Sequence, residues 1–155
     1  MKRDEVVRPR RSRRPHSAVT RRELVRLKRA YEPAVRADGY RILIDRLWPR
    51  GLSKEKAAIN EWMKEIAPSA ELRQWFGHDP EKWLEFRRRY RRELRAREDL
   101  LRQIATLASR RRVTLVYGAR DEAHNDAVVL AAVLRARMRH AVSVAPRSRG
   151  NTRDR

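Results

Sequence analysis

Apolar and charged residues alternate from Leu24 to Arg29, with Val25 and Leu27 opposite Arg26 and Lys28, and a period of two predicts a half-buried strand. Pro33 and Gly39 mark a loop. Tyr40 to Asp45 then predicts a second strand, with Tyr40, Ile42 and Ile44 on one face and Leu43 on the other, as in a sheet covered on both sides. Ser53 can cap a short helix, after which Ile59, Trp62 and Ile66 recur at helical steps until Pro68; a strand fits the same residues.

Ser69 is a cap for a helix carrying Leu72, Trp75 and Phe76 and closed by Gly77, and Asp79-Pro80 opens another. Trp83, Phe86, Tyr90 and Leu94 form that helix's apolar stripe, while Arg87, Arg88, Arg91, Arg92 and Arg95 take the other faces. Glu85 stands one turn before Arg89, and Glu93 one turn before Arg97, so part of this charge is expected to be paired. Leu100 or Leu101, Ile104 and Leu107 predict a further amphipathic helix ending at Arg110 to Arg112, where cations suit the helix C-terminus. Val113 to Tyr117 reads as a buried strand, and Asp121 to Asn125 leads into an apolar helix over Asp126 to Met138. The order of elements predicts an α/β fold: a small, mostly parallel sheet flanked by helices, in a single domain.

Composition changes the picture mainly at the two ends. The net charge is +20, yet residues 1–22 hold nine Lys or Arg against two acids and residues 139–155 five against one, so over half the surplus lies in those segments. Both are rich in Arg, Pro and Ser and poor in apolar groups, and are expected to be disordered tails around a domain spanning 23–138. Such charge attracts phosphate polymers through a screened field with little sequence preference. Non-specific nucleic acid, gripped by the tails and the basic helix over residues 81–97, is therefore one expected partner.

The absence of cysteine excludes disulfides, thiolate metal sites and a cysteine nucleophile, and with no signal-peptide core in the first 22 residues it points to the cytoplasm. No apolar run approaches the roughly 20 residues needed to cross a bilayer, so no membrane partner is expected. His16, His78, His124 and His140 are scattered, which predicts no metal site, and no glycine-rich phosphate or dinucleotide fingerprint calls for a cofactor. The oligomeric state is not encoded legibly.

In an open α/β sheet, ligands gather beyond the carboxyl ends of the strands. Two loops occupy such positions. One carries Asp45, Arg46, Trp48 and Arg50; the other carries Arg120, Asp121, His124 and Asn125. Arg50 and Arg120 are expected to converge on an anionic, nucleotide-like small molecule, with Asp45, Arg46, Trp48 and Asn125 completing the binding set and His124, Asp121 and His78 as candidate proton-transfer groups. The structural alternative is that Arg46 pairs with Asp45 and Arg120 with Asp121 to fix the loops, that His124 packs its loop or caps a helix, and that Asp79 is only a cap.

Four ordered segments, Leu27 to Glu32, Asp38 to Leu52, Trp75 to Pro80 and Ala119 to Leu130, resemble the YeaO-like family. The resemblance covers about residues 24–138 and implies a compact bacterial α/β domain within a broader group of domains of unknown function. It also implies that Asp45, Arg46, Trp48, Arg50, His78, Asp79, Arg120, Asp121, His124 and Asn125 are signature positions, most of them in loops. Related branches of the group carry a cysteine near the last strand; Tyr117-Gly118-Ala119 stands there in this chain, so no thiol mechanism is carried over.

Overall fold

The computed structural model describes residues 24–144. The expected tails, apart from residues 139–144, lie outside the described residues. Four strands, β1 (Val25–Arg29), β2 (Tyr40–Leu43), β3 (Glu61–Trp62) and β4 (Val113–Tyr117), form one sheet in the order β1-β4-β2-β3, with every pairing parallel. β4 is the centre of the sheet. Val113 faces Val25 on one side and Tyr40 on the other, and Leu115 faces Leu27 and Ile42. That position explains why all five residues of β4 are buried.

Five α-helices follow the strands among the described residues: α1 (Lys54–Ala57), α2 (Ala70–Phe76), α3 (Trp83–Arg95), α4 (Glu98–Arg110) and α5 (Asp126–Val144). Their starts follow the polar punctuation of the sequence. Ser53 Oγ accepts the Lys56 amide at 3.2 Å, Ser69 Oγ accepts the Leu72 amide at 3.1 Å, and Asn125 Oδ1 accepts the Val128 amide at 3.1 Å. Asp79 caps a short 3-10 turn over Pro80–Lys82 that leads into α3. α5 continues past Met138, where the apolar pattern ends, to Val144.

Two apolar layers enclose the sheet. On one face Val25, Ile42, Ile44, Val113, Leu115 and Tyr117 meet Leu72 and Phe76 of α2, Phe86, Tyr90 and Leu94 of α3, Leu101 and Ile104 of α4, and Leu130 and Leu134 of α5. The other face is smaller: Ala30, Leu43 and Val116 lie under Trp48, Leu52, Ile59 and Trp62.

Of the two readings open for Ile59 to Ile66, the strand holds at Glu61–Trp62 and the α-helix does not form. α1 stops at Ala57 because Ala58 turns left-handed, and the chain then pairs with β2: the Asn60 amide donates to Arg41 O at 2.9 Å and the Met63 amide to Leu43 O at 2.9 Å. Ile59 and Trp62 face the smaller apolar layer while Ile66, in a 3-10 turn, enters the larger one. Apolar spacing of three and four arose from residues serving opposite faces of the sheet.

A buried ionic knot holds the entry to β2. Asp38 and Arg41 are only 4% and 3% exposed, and Asp38 Oδ2 accepts Arg41 Nη1 at 2.6 Å. Lys28 Nζ of β1 lies 3.1 Å from both Asp38 oxygens, Thr114 of β4 donates to Asp38 O at 2.6 Å, and Arg41 Nε and Nη2 both donate to Ala57 O. Three strands and α1 therefore share one charged junction. Gly39 completes it at φ 66°, where a Cβ would sit 2.3 Å from Arg112 O, so no other residue fits without moving the backbone.

The ion pairing expected on α3 forms in part. Glu85 holds Arg89 at 3.1 Å and Arg88 at 3.4 Å, but Glu93 turns instead to Ser69, accepting its amide at 2.9 Å and its hydroxyl at 2.5 Å. Capping α2 takes precedence there because the donors are orphan groups at a partly buried helix start.

Candidate functional site

A cleft of about 290 Å³ opens beyond the carboxyl ends of β2 and β4, lined by the loop after β2, the α2–α3 turn and the start of α5. The loop from Asp45 to Leu52 is fixed by two indoles. Trp62 Nε1 donates to Asp45 O at 2.7 Å, Trp48 Nε1 donates to Leu52 O at 2.7 Å, and the two rings meet edge to face at 5.5 Å. With its backbone held this way, the loop supplies Arg46, Trp48 and Arg50 to the cleft wall.

Arg73 of α2 and His78 of the following turn add to that wall. His78 adopts a left-handed backbone at φ 57°, immediately after Gly77 at φ 52°, and its ring lies 6.2 Å from that of Phe76. Two successive left-handed residues reverse the chain, so an exposed imidazole borders the cleft. Phe76 and Phe86, stacked at 4.2 Å, supply an apolar flank.

A pair of acids forms the floor. Asp45 Oδ2 accepts the Gly118 amide at 2.7 Å, and a Cβ at 118 would stand 3.1 Å from that oxygen, a contact the carboxyl would have to shift to relieve. The Asp45 carboxyl is also hydrogen-bonded to that of Asp126 at the start of α5. Burial pushes Asp45 upward, while the Gly118 amide, Asp126, His78 and Arg73 draw it back, leaving it above the ordinary carboxylate value. Asp126 is driven well above that value, first by burial and then by the charge and hydrogen bond of Asp45. Two half-buried like charges in contact cannot both ionise cheaply, so the pair as a unit holds a proton more tightly than an ordinary carboxyl does.

This pair has a measurable stability signature. Because Asp126 is raised in the folded protein, its contribution is fully present below the unfolded pKa of about 4 and is lost as pH rises toward the folded value. Asp126→Asn cannot ionise and should flatten that decline, so that its stability relative to wild type rises from acid to neutral pH. Urea unfolding at a series of pH values measures it; parallel wild-type and variant curves would contradict a raised Asp126 carboxyl.

Of the residues expected to bind or react, the cleft gathers Asp45, Arg46, Trp48, Arg50, His78 and Asn125. Arg120, Asp121 and His124 do not line it. Arg120 is exposed outside the cleft, so the expected convergence of Arg50 with Arg120 does not occur. Nor do the loop ion pairs considered from sequence form: Asp45 binds Gly118 and Asp126, while Asp121 binds His124. Asp121 Oδ2 lies 2.8 Å from His124 Nδ1 and its Oδ1 accepts the amides of Ala123 and His124; the His124 hydrogen bond is the main cause that lowers the Asp121 carboxyl below its usual range. The His124 ring meets Trp83 edge-on at 5.2 Å, which latches this loop to α3.

Arg73 and Asp126 were missed by sequence reasoning. Asp126 has the pattern of a first-turn acid, and Arg73 that of an exposed helix cation; only the fold places them beside Asp45. Asn125 is buried, donates to Asp121 O at 2.9 Å and caps α5, so its binding position is also a structural one. Arg46 Nε is buried without a hydrogen-bond partner, and among the described residues no ion pair joins Arg46, Arg50 or Arg73 to a carboxylate. No cluster of three or more His, Cys, Asp or Glu side chains suited to a metal occurs among the described residues, and none of their helices is long and apolar enough to cross a membrane.

A parallel α/β sheet with a polar cleft at its strand ends defines the class of domain. More particularly, the family model described as "Inactive DUF488-N3 subclade" matches residues 24–150, and the chain belongs to this YeaO-like family. It is similar to the uncharacterized protein YeaO of Escherichia coli (strain K12), with 45% identity over 111 residues that cover 72% of this chain and 96% of that protein. It is also similar to the uncharacterized proteins Mb3100c of Mycobacterium bovis and Rv3073c of Mycobacterium tuberculosis, each 40% identical over 119 residues, or 77% of this chain and all of the relative. No solved structure matches.

Proposed function

We propose that this domain binds an anionic, nucleotide-like small molecule in the cleft beyond β2 and β4, and that it acts by binding rather than by catalysis. The observation that carries this reading is the cationic wall of the cleft: Arg46, Arg50 and Arg73 line one recess, Arg73 lies in the field of Asp45, and among the described residues no ion pair joins Arg46 or Arg50 to a carboxylate. Guanidinium groups offer planar forks of donors that match the oxygens of a bound anion. The volume lies near the lower end of the range of roughly 300–1,000 Å³ for small-molecule sites, and its aromatic flank is typical of them. Absence of catalysis agrees with the word "inactive" in the family description, and the His124–Asp121 pair serves the loop outside the cleft.

The arginine face of α3 supports nucleic-acid binding less well. Its Arg88, Arg91, Arg92 and Arg95 are exposed, and Arg88 is paired with Glu85, as expected of a solvated face.

Arg46→Ala should abolish the rise in melting temperature given by nucleoside monophosphates or sugar phosphates at saturating concentration, while the unliganded variant still unfolds cooperatively. Differential scanning fluorimetry reads both. Equal shifts in the variant and wild type would show that Arg46 holds no ligand.

A further inference from the structure

The cleft carries charge of both signs, and the arrangement restricts what can occupy it. Arg46, Arg50, Arg73 and His78 border it, and the carboxyls of Asp45 and Asp126 line it as well. No Lys, Arg or His among the described residues forms an ion pair with either acid. A sphere of the cleft's volume is only about 8 Å across, so a ligand held at the rim also meets the floor. Phe76, Phe86 and Trp48 replace part of the polar surroundings with apolar surface, where charges are screened less than in bulk water. A uniformly anionic molecule would be drawn by the rim and repelled by the floor.

We propose that the ligand is amphoteric: its anionic end lies against Arg46, Arg50 and Arg73, and an N–H donor at its other end meets the Asp45–Asp126 pair. An alkylamine and the amino edge of a nucleobase share this chemistry. A carboxylate in a desolvated site reads such donors well, because its oxygens accept several hydrogen bonds and discriminate against groups that offer none. The groups that set the local charge are Arg46 and Arg50 from the loop after β2, Arg73 from α2, His78 from the turn and Tyr90 from α3, whose hydroxyl donates to Ile66 O at 2.7 Å. This inference rests on the anion-binding reading above and adds the second half of the ligand.

The test uses matched probes on the full chain by isothermal titration calorimetry: phosphoethanolamine against n-propyl phosphate, and GMP against ribose 5-phosphate. The N–H-bearing member of each pair should bind at least about tenfold more tightly, a factor equal to about 1.4 kcal/mol. The double variant Asp45→Asn/Asp126→Asn, which keeps an acceptor for the Gly118 amide and removes both carboxyls, should erase this preference and tighten n-propyl phosphate, whereas Asp126→Asn alone leaves one carboxylate and should retain the preference. Asp45→Ala/Asp126→Asn gives the same comparison if the first double variant fails to fold. Equal affinity within both pairs would overturn the amphoteric ligand while leaving the anion clamp standing. No binding by any probe, or unchanged binding in Arg46→Ala, would overturn the clamp and this inference together.

Discussion

Replacing Asp38 by alanine lowers the stability of the domain by about 3–5 kcal/mol, the usual cost of removing one partner from a buried ion pair. Small domains hold only about 5–15 kcal/mol in total, so the variant stands near its unfolding threshold. Loss of the carboxylate leaves the Arg41 guanidinium, 3% exposed, and the Lys28 ammonium without their shared counter-charge. It also removes the acceptor for the Val35 amide, which lies 3.1 Å from Asp38 Oδ2. Burial alone would raise the Asp38 carboxyl, but the Val35 amide, Lys28 and Arg41 outweigh it and hold the group below its usual value. Its stabilisation is therefore present above the unfolded pKa of about 4 and disappears as pH falls through the lower folded value. Urea midpoints at neutral pH and on acidification measure both effects. A loss below about 1 kcal/mol would show that water solvates the junction and that it is not sealed.

Tyr90→Ala should cost a similar amount, about 3–5 kcal/mol, as expected when a large aromatic side chain is removed from a core that collapses only partly. Tyr90 is fully buried, packs 5.8 Å from Phe86 between ring centres, and donates to Ile66 O at 2.7 Å. Phe86 is itself a wall of the cleft, so the cavity left by Tyr90 loosens the site as well as the core. Tyr90→Phe keeps the ring and should cost only about 1–3 kcal/mol, the penalty for leaving the Ile66 carbonyl unsatisfied. Chemical denaturation of the two variants separates packing from hydrogen bonding. Equal losses would mean that the hydroxyl contact, and not the ring, dominates.

The fold was largely legible because each main element carries its own periodicity and punctuation. β4 is a continuous β-branched and aromatic run, and Ser69, Gly77 and Asp79 bracket their helices with the residue types that such positions need. Residues 59–66 stayed ambiguous between helix and strand for a specific reason: Ile59 and Trp62 serve one face of the sheet and Ile66 the other, which imitates one helical stripe. The site was legible only as far as each loop could be read by itself. The segment from Asp45 to Arg50 points to the cleft, yet Asp126 meets Asp45 across 81 positions of chain through β4 and its following loop, and nothing local marks that meeting. Arg120 and His124 lie outside the cleft for the converse reason, since a polar loop following a strand does not state which of its side chains turn inward.

The central place of β4 has a consequence for how the chain comes into being. β1 leaves the ribosome early but, among the described residues, has no strand neighbour until Val113 to Tyr117 emerges, because there it pairs with β4 alone. A nascent chain interrupted before that point can join β2 only to the two-residue β3. Synthesis must therefore deliver the last strand before the first can be used, and the acid that completes the cleft floor arrives later still.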